Sequence, residues 1–523
     1  MTCRIGALVL AACLPVAAQG QQGAPLSAID WLEQALTQPI GPAAPPRQTM
    51  PQSLPEPSAQ TDMPAEAESG QITSRPLTKS TLDSTGLFAA ARIGLPHDVW
   101  GGSTLDNVIA AITRQTPDMV PAAQRLLLRL LLAEFAPPQL NADDMVGQLL
   151  AARLDKLIEI GALEQATQLL ETASGQTAAL NARAFDIALL LGEEDRACTR
   201  LQGQLFAENG EAARIFCLAR QGEWQSAYAA LGAARALGGL DHSEADLLAR
   251  FLEEEDGTPS LAPPQDLTPM GWRILEALGE PVGTGTLPVA FAHADLRGTS
   301  GWRAQIDAAE RLTRTGVMQP GRLMGIYTHR RAAASGGVWD RVRAVQALDD
   351  ALDQGDTTAI SAALIRAWPL FEQIELDSAF ARIVAERIAP HNLTGTAVTL
   401  QWTVLLLAEE RLDRAAQIAP DTATSRLAMA LALGDSLPTV SAGSIGPVIA
   451  AAFAEPALPQ PQSLWLRNDE RGRLVLDALA QIAGATQGDM LAAERGLATL
   501  LALGLTQDAR QIALELLLLD RRG

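Results

Sequence analysis

The residues able to do chemistry in this chain of 523 residues are few and scattered. The histidines are His97, His242, His293, His329 and His391, and none has the i, i+4 partner of a zinc-binding HExxH helix. His293-Ala294-Asp295 offers two ligands, fewer than a protein zinc site uses, so no metal is expected. Gly283-Thr284-Gly285 lacks a third glycine at the right place and follows no strand, which excludes a dinucleotide loop. There is no GxxxxGK[ST] phosphate loop, the only lysines being Lys79 and Lys156. No GxSxG elbow occurs, and Gly443-Ser444-Ile445-Gly446 reads as a loop. Paired acids serve glycoside hydrolysis, but Glu253-Glu254-Glu255-Asp256 is a run closing a helix, which reads as a solvated face. No catalytic residue, cofactor or metal is therefore assigned, and the chain is not expected to be an enzyme.

Two other groups of residues remain. Cys198 and Cys217 lie on two expected helices, Glu194 to Phe206 and Glu211 to Gln221, with Glu208-Asn209-Gly210 as the turn between them. Antiparallel packing brings the two thiols to a similar height. They form either a disulfide, as an oxidising compartment favours, or two small buried apolar residues. No CxxC motif is present, which argues against thioredoxin-like chemistry. The second group spans Gly325 to Arg331 and Ser335 to Arg341. Tyr327, His329, Arg330, Trp339 and Asp340 there make a candidate binding loop of the kind that carries recognition. The alternative is a helix–helix turn with Trp339 packed inward and Asp340-Arg341 near a helix N-terminus.

The elements that would position these residues follow from composition. The chain is 48% hydrophobic, 4% aromatic and 19% charged, with net charge −20. The acidity excludes nucleic-acid binding through a basic surface. Ala and Leu supply most of the apolar residues, which favours helices over sheets. At the N-terminus, Arg4, the apolar run Ile5 to Val16, and the small residues Val16 and Ala18 fit a cleaved signal peptide over 1–18. That run is too short to span a bilayer, and Leu126 to Phe135 is interrupted by Arg129 and Glu134, so no transmembrane helix is expected. Periplasmic localisation follows. Leu10-Ala11-Ala12-Cys13 supports a competing expectation, an outer-membrane lipoprotein with its lipid on Cys13.

Residues 19–85 are expected to hold a short helix over 27–38 and a disordered Pro-rich tether. Ile29, Leu32 and Leu36 share one helix face, with Trp31 beside them, and form a candidate partner-docking peptide. From about Gly86 onward the pattern is helical, with helices over Leu105 to Arg114, Pro121 to Phe135, Ala142 to Ile160, Leu163 to Thr172 and Ala179 to Leu191. An N-terminal helical-repeat domain over 86–257, a Gly/Pro-rich connector over 258–300 and a C-terminal helical domain over 301–523 are expected.

One spacing recurs. Gly161 precedes Ala166, Gly192 precedes Ala197, Gly222 precedes Ala227 and Gly504 precedes Ala509, each by five residues. A glycine ending one helix and an alanine early in the next make a close helix–turn–helix unit, the basis of an α-solenoid. With Leu157, Leu169-Leu170, Leu191, Leu201, Leu218, Trp224 and Leu231, about 80 residues resemble the tetratricopeptide-like (TPR-like) superfamily. The resemblance implies an all-α solenoid of helical hairpins that binds partners, and it carries no catalytic residue. The whole layout is also similar to uncharacterised exported helical proteins of alphaproteobacteria, some labelled "antifreeze". Here alanine lies among Leu, Arg and Glu, where it serves close helix packing rather than a flat ice-facing surface. The expected function is a periplasmic helical-repeat scaffold mediating protein–protein interaction in the cell envelope. The alternative is a superhelical peptidoglycan-associated enzyme or a regulator of cell-wall synthesis.

Overall fold

A computed structural model describes residues 81–139, 146–201, 210–253, 266–439, 442–454 and 458–519. The signal peptide, the lipidation site at Cys13, the helix over 27–38 with Ile29, Trp31, Leu32 and Leu36, and most of the tether lie outside them. The described residues belong to one unit, Arg75–Gly523. They are helical almost throughout, with 24 α-helices among them. No described helix is long and apolar enough to cross a membrane.

The first helices are α1 (Leu105–Thr113), α2 (Pro121–Leu132), α3 (Gln148–Glu159), α4 (Leu163–Thr172) and α5 (Ala178–Leu191). Next come α6 (Glu194–Leu201), α7 (Glu211–Arg220), α8 (Trp224–Leu237), α9 (His242–Leu252) and α10 (Pro269–Ala277). The middle holds α11 (Ala292–Asp295), α12 (Trp302–Arg314), α13 (Pro320–Thr328), α14 (Val338–Gln354), α15 (Thr357–Glu372) and α16 (Asp377–Ile388). The last are α17 (Thr396–Ala408), α18 (Leu412–Ile418), α19 (Ala423–Leu433), α20 (Ile445–Ala454), α21 (Gln462–Arg467), α22 (Arg471–Thr486), α23 (Met490–Ala502) and α24 (Thr506–Leu518).

Local chemistry explains many boundaries. Pro121, Pro269 and Pro320 open their helices at positions that need no N–H donor. The side chains of Thr177, Asp241, Thr268, Asp356 and Asp489 accept N–H bonds at the starts of α5, α9, α10, α15 and α23. One start depends on a distant residue: buried Asp83 accepts from Gly147 N at 2.8 Å and Leu150 N at 3.1 Å, capping α3. That cap sets the helix start well after Ala142. Helix α2 stops at Leu132, before the expected Phe135, because Ala133–Glu134 (β2) pairs in parallel with Phe88–Ala89 (β1). The buried Arg153 guanidinium then donates to the carbonyls of Leu131 (2.7 Å), Thr85 (2.6 Å) and Ala133 (3.0 Å). It thereby serves groups that a helix end leaves orphaned. Burial lowers the Arg153 pKa to about 10, against a raising effect of Asp83.

The Gly–Ala spacing corresponds to one backbone device. Gly161, Gly192, Gly222 and Gly504 all have φ between 80° and 82°. In each, the next residue's N–H reaches five residues back, as from Ala162 to Leu157 (2.7 Å) and from Glu223 to Leu218 (2.9 Å). Ala166, Ala197, Ala227 and Ala509 are all buried. The same bond pattern recurs at Gly488, which precedes buried Ala493, and, with an acid in the left-handed position, at Glu375 and Asp469.

Two hydrophobic clusters form. The smaller gathers Phe185, Cys198, Phe216, Leu231, Leu248 and Ile274 from α5 to α10. The larger runs from Leu82 to Leu519. Residues 266–300, in the expected connector, carry α10 and α11 and bury Trp272, Phe291 and His293. The last helices pack on the first: α24 lies against α2, and α22 against α1. Gly472 N donates to Val99 O (2.8 Å), Gly102 N to Asn468 O (3.0 Å) and Gln115 Nε2 to Leu476 O (2.9 Å). A Cβ on Gly472 would sit 2.5 Å from the Trp100 ring, so this seam requires glycine. In an open solenoid each unit touches only its neighbours; here the run of helices closes on itself.

Candidate functional site

The residues singled out from the sequence are dispersed and mostly occupied internally. His293 is buried, and its Nε2 lies 2.6 Å from Gly161 O, tying α11 to the α3–α4 turn. Burial holds its pKa below the ordinary histidine value, with the Gly161 carbonyl opposing. Asp295 accepts from Thr284 Oγ1 instead of joining His293. No group of three or more His, Cys, Asp or Glu with metal-binding geometry exists among the described residues. Glu253 ends α9 exposed, and the other three acids of its run lie outside the described residues. Cys198 on α6 and Cys217 on α7 form a disulfide, their Cα atoms 5.3 Å apart. Arg330 and His329 are exposed.

Of the other candidates on the 325–341 loop, Tyr327 and Trp339 turn inward, whereas the Asp340 side chain stays 45% exposed. Tyr327 is fully buried and donates through Oη to Glu310 Oε1 at 2.6 Å. Arg341 grips the same carboxylate through Nε (2.7 Å) and Nη2 (2.5 Å). Burial and the Glu310 charge push the Tyr327 phenol well above its usual pKa. Trp339 packs on Trp302 with ring centroids 5.1 Å apart, and Asp340 accepts from Gly336 N at 3.2 Å. This network locks α12, α13 and α14 together.

A cavity of about 510 Å³ has a different character. It is bounded by α2, the end of α12 with residues 318–320, the start of α16, the α17–α18 turn, α19 and α24. Five arginines line it, Arg125, Arg129, Arg314, Arg382 and Arg510, against Glu375, Glu409 and Asp508. In the whole chain acids outnumber bases, 60 to 40. Arg129 pairs with Asp508. Fully buried Glu515 accepts from Ala122 N at 2.6 Å in the first turn of α2 and from Arg125 Nη2 at 3.3 Å. Its charge thus meets both a cation and a helix N-terminus. Glu409 Oε1 lies 3.7 Å from Arg125 Nη2 and 3.6 Å from Arg382 Nη2. Burial, and secondly the Arg125 charge, lower the Arg382 pKa, opposed by Glu515 and Glu409.

Four buried polar atoms on this lining have no hydrogen-bond partner: Gln124 Oε1, Ser378 Oγ, Arg382 Nε and Gln511 Nε2. Most buried polar atoms in folded proteins are partnered; these four are closed off by the side chains around them, so a molecule in the cavity meets the guanidinium ends instead. A larger groove of about 940 Å³, between α1, α3 and α5, lacks this feature. Its Lys156 Nζ is satisfied by Thr113 O (3.0 Å), Gln115 O (2.7 Å) and Glu159 (2.6 Å). Its Arg183 makes two 2.6 Å bonds to Asp155.

The cavity escaped sequence reasoning, although each helix carried a trace of it. Arg125 and Arg129 on α2, Ser378 and Arg382 on α16, and Asp508, Gln511 and Glu515 on α24 stand at helical spacing. Which of these stripes meet is set by the closure of α24 on α2. Compared with protein-family models, curated proteins and solved structures, the chain matches none.

Proposed function

We propose that the chain is an exported, TPR-like helical scaffold that binds a protein of the cell envelope and catalyses no reaction. The observation that carries this reading is the recurring turn: a residue in the left-handed conformation, an N–H bond five residues back, and a buried small residue opening the next helix. Repetition of one such turn joins successive helices in helical-repeat proteins, and here the joined run closes on itself, which leaves its outer helix faces for a partner. The Cys198–Cys217 disulfide supports an oxidising compartment, in accord with the signal-like N-terminus. Periplasmic fractionation with thiol alkylation and mass spectrometry tests export: the mature chain starts at Gln19 and carries no free thiol. A cytoplasmic chain with both thiols free refutes export, and a lipidated Cys13 replaces it with the outer-membrane lipoprotein. Cross-linking in intact cells, comparing the full chain with one lacking 27–38, tests the docking helix. Unchanged cross-linked species would remove that segment from partner binding.

A further inference from the structure

We propose that the cavity between α2, α16 and α24 binds a small carboxylate-bearing molecule with a short apolar body. This goes beyond the scaffold reading and stands without it.

The polar evidence concerns donors. Ser378 is 2% exposed, and its hydroxyl lacks a partner, as do Arg382 Nε and Gln511 Nε2. A buried donor without an acceptor costs about 1–3 kcal/mol, more when charged. These three atoms are shut off from the cavity as well as from solvent, so the donors a ligand there meets are the outer guanidinium nitrogens of Arg125 and Arg382, whose side chains are 29% and 30% exposed. The two guanidiniums of Arg125 and Arg382 share one oxygen of Glu409, at 3.7 and 3.6 Å, beyond hydrogen-bond reach. Glu515 is already engaged by Ala122 N and Arg125.

Charge selects the ligand's valence. Five lining arginines against Glu375, Glu409, Asp508 and the adjoining Glu515 leave one net positive charge. One carboxylate neutralises it, and a planar guanidinium edge matches a carboxylate bidentately. The apolar part has its own wall in Met318, Leu128, Leu376, Leu406 and Leu431. The volume, about 510 Å³, falls within the range of small-molecule sites.

The test uses the full mature chain and two probes of one shape, 4-phenylbutyrate and the neutral 4-phenylbutan-1-ol. Saturation-transfer NMR is expected to show transfer to the carboxylate at least about fivefold above that to the alcohol, as a charge-assisted bond requires. Arg382→Ala should remove that difference, and Arg382→Lys should keep part of it. Equal transfer to both probes overturns the proposal, as does an undiminished carboxylate signal in Arg382→Ala. If circular dichroism shows that Arg382→Ala is unfolded, the closer-sized neutral variant Arg382→Gln is read by the same criteria. A chain that stays in the cytoplasm yet binds the carboxylate would sink the export reading alone.

Discussion

Removing the Cys198–Cys217 bridge isolates one contribution to the smaller core. The two cysteines are 19 residues apart in sequence and are 3% and 6% exposed among Phe185, Phe216 and Leu248. Cross-linking a loop of that length restricts the unfolded chain by roughly 11 cal/mol/K, or about 3 kcal/mol at 25 °C. Cys198→Ala with Cys217→Ala should therefore lower the stability of the α5–α10 region by about that amount. Both cysteines are already buried, so an alanine pair adds a small cavity loss to the chain-entropy effect. Urea unfolding, followed by hydrogen exchange of α6 to α9, gives the reading. Wild-type protein treated with a reductant should fall to within about 1 kcal/mol of the double variant, and the variant should not respond to reductant. A wild-type midpoint unmoved by verified reduction would refute the chain-entropy argument.

Other expectations follow from burial and backbone geometry. Burial raises the Asp186 pKa to about 7, opposed by Arg183 and assisted by Glu244. Between about pH 4 and 7 the folded state then keeps a proton that the unfolded state releases, so stability falls as pH rises through this window. Asp186→Asn should leave stability unchanged at pH 3.5 and raise it at pH 7, by at most about 4 kcal/mol. Urea midpoints across this range check it, and a gain independent of pH would refute it. Gly161 and Gly222 share φ of 82°, but a Cβ would meet Leu312 Cδ2 at 2.8 Å at the first and nothing within 4 Å at the second. Gly222→Ala should cost about 1–2 kcal/mol for the left-handed backbone alone, and Gly161→Ala about 1–3 kcal/mol more for overpacking. Equal losses in thermal melts would show that the close approach contributes nothing.

What the sequence disclosed divides by range. Helix α4 coincides with the expected Leu163 to Thr172, because its apolar period and the Gly161 turn are local signals. The start of α3 was displaced because its cap, Asp83, stands 64 residues upstream of Gly147. Helix α2 was expected to continue through Ala133 and Glu134, whose strand pairing depends on Phe88 and Ala89. The 325–341 segment stands out in composition for its Tyr, His, Trp and Arg residues. Its Tyr327, Arg341 and Trp339 meet Glu310 and Trp302 on α12, partners invisible at the level of the segment.

The cavity joins these two ranges. The recurring turn needs one residue with positive φ, and glycine fills it at no steric cost. At Glu375 (φ 57°) the same turn is made by a carboxylate residue, and Glu409 (φ 58°) ends α17 in the same left-handed conformation. Holding a non-glycine residue there costs about 1–2 kcal/mol, and glycine is abundant elsewhere in this chain, at 42 positions. Both acids line the arginine cavity. The strain therefore coincides with a requirement for charge: a glycine at either turn would relax the backbone and leave the arginines with less negative charge. The turn that ends helices throughout the body also supplies counter-charges at this site. Arg125 on α2 and Arg382 on α16 both approach one of these acids, Glu409 at the end of α17.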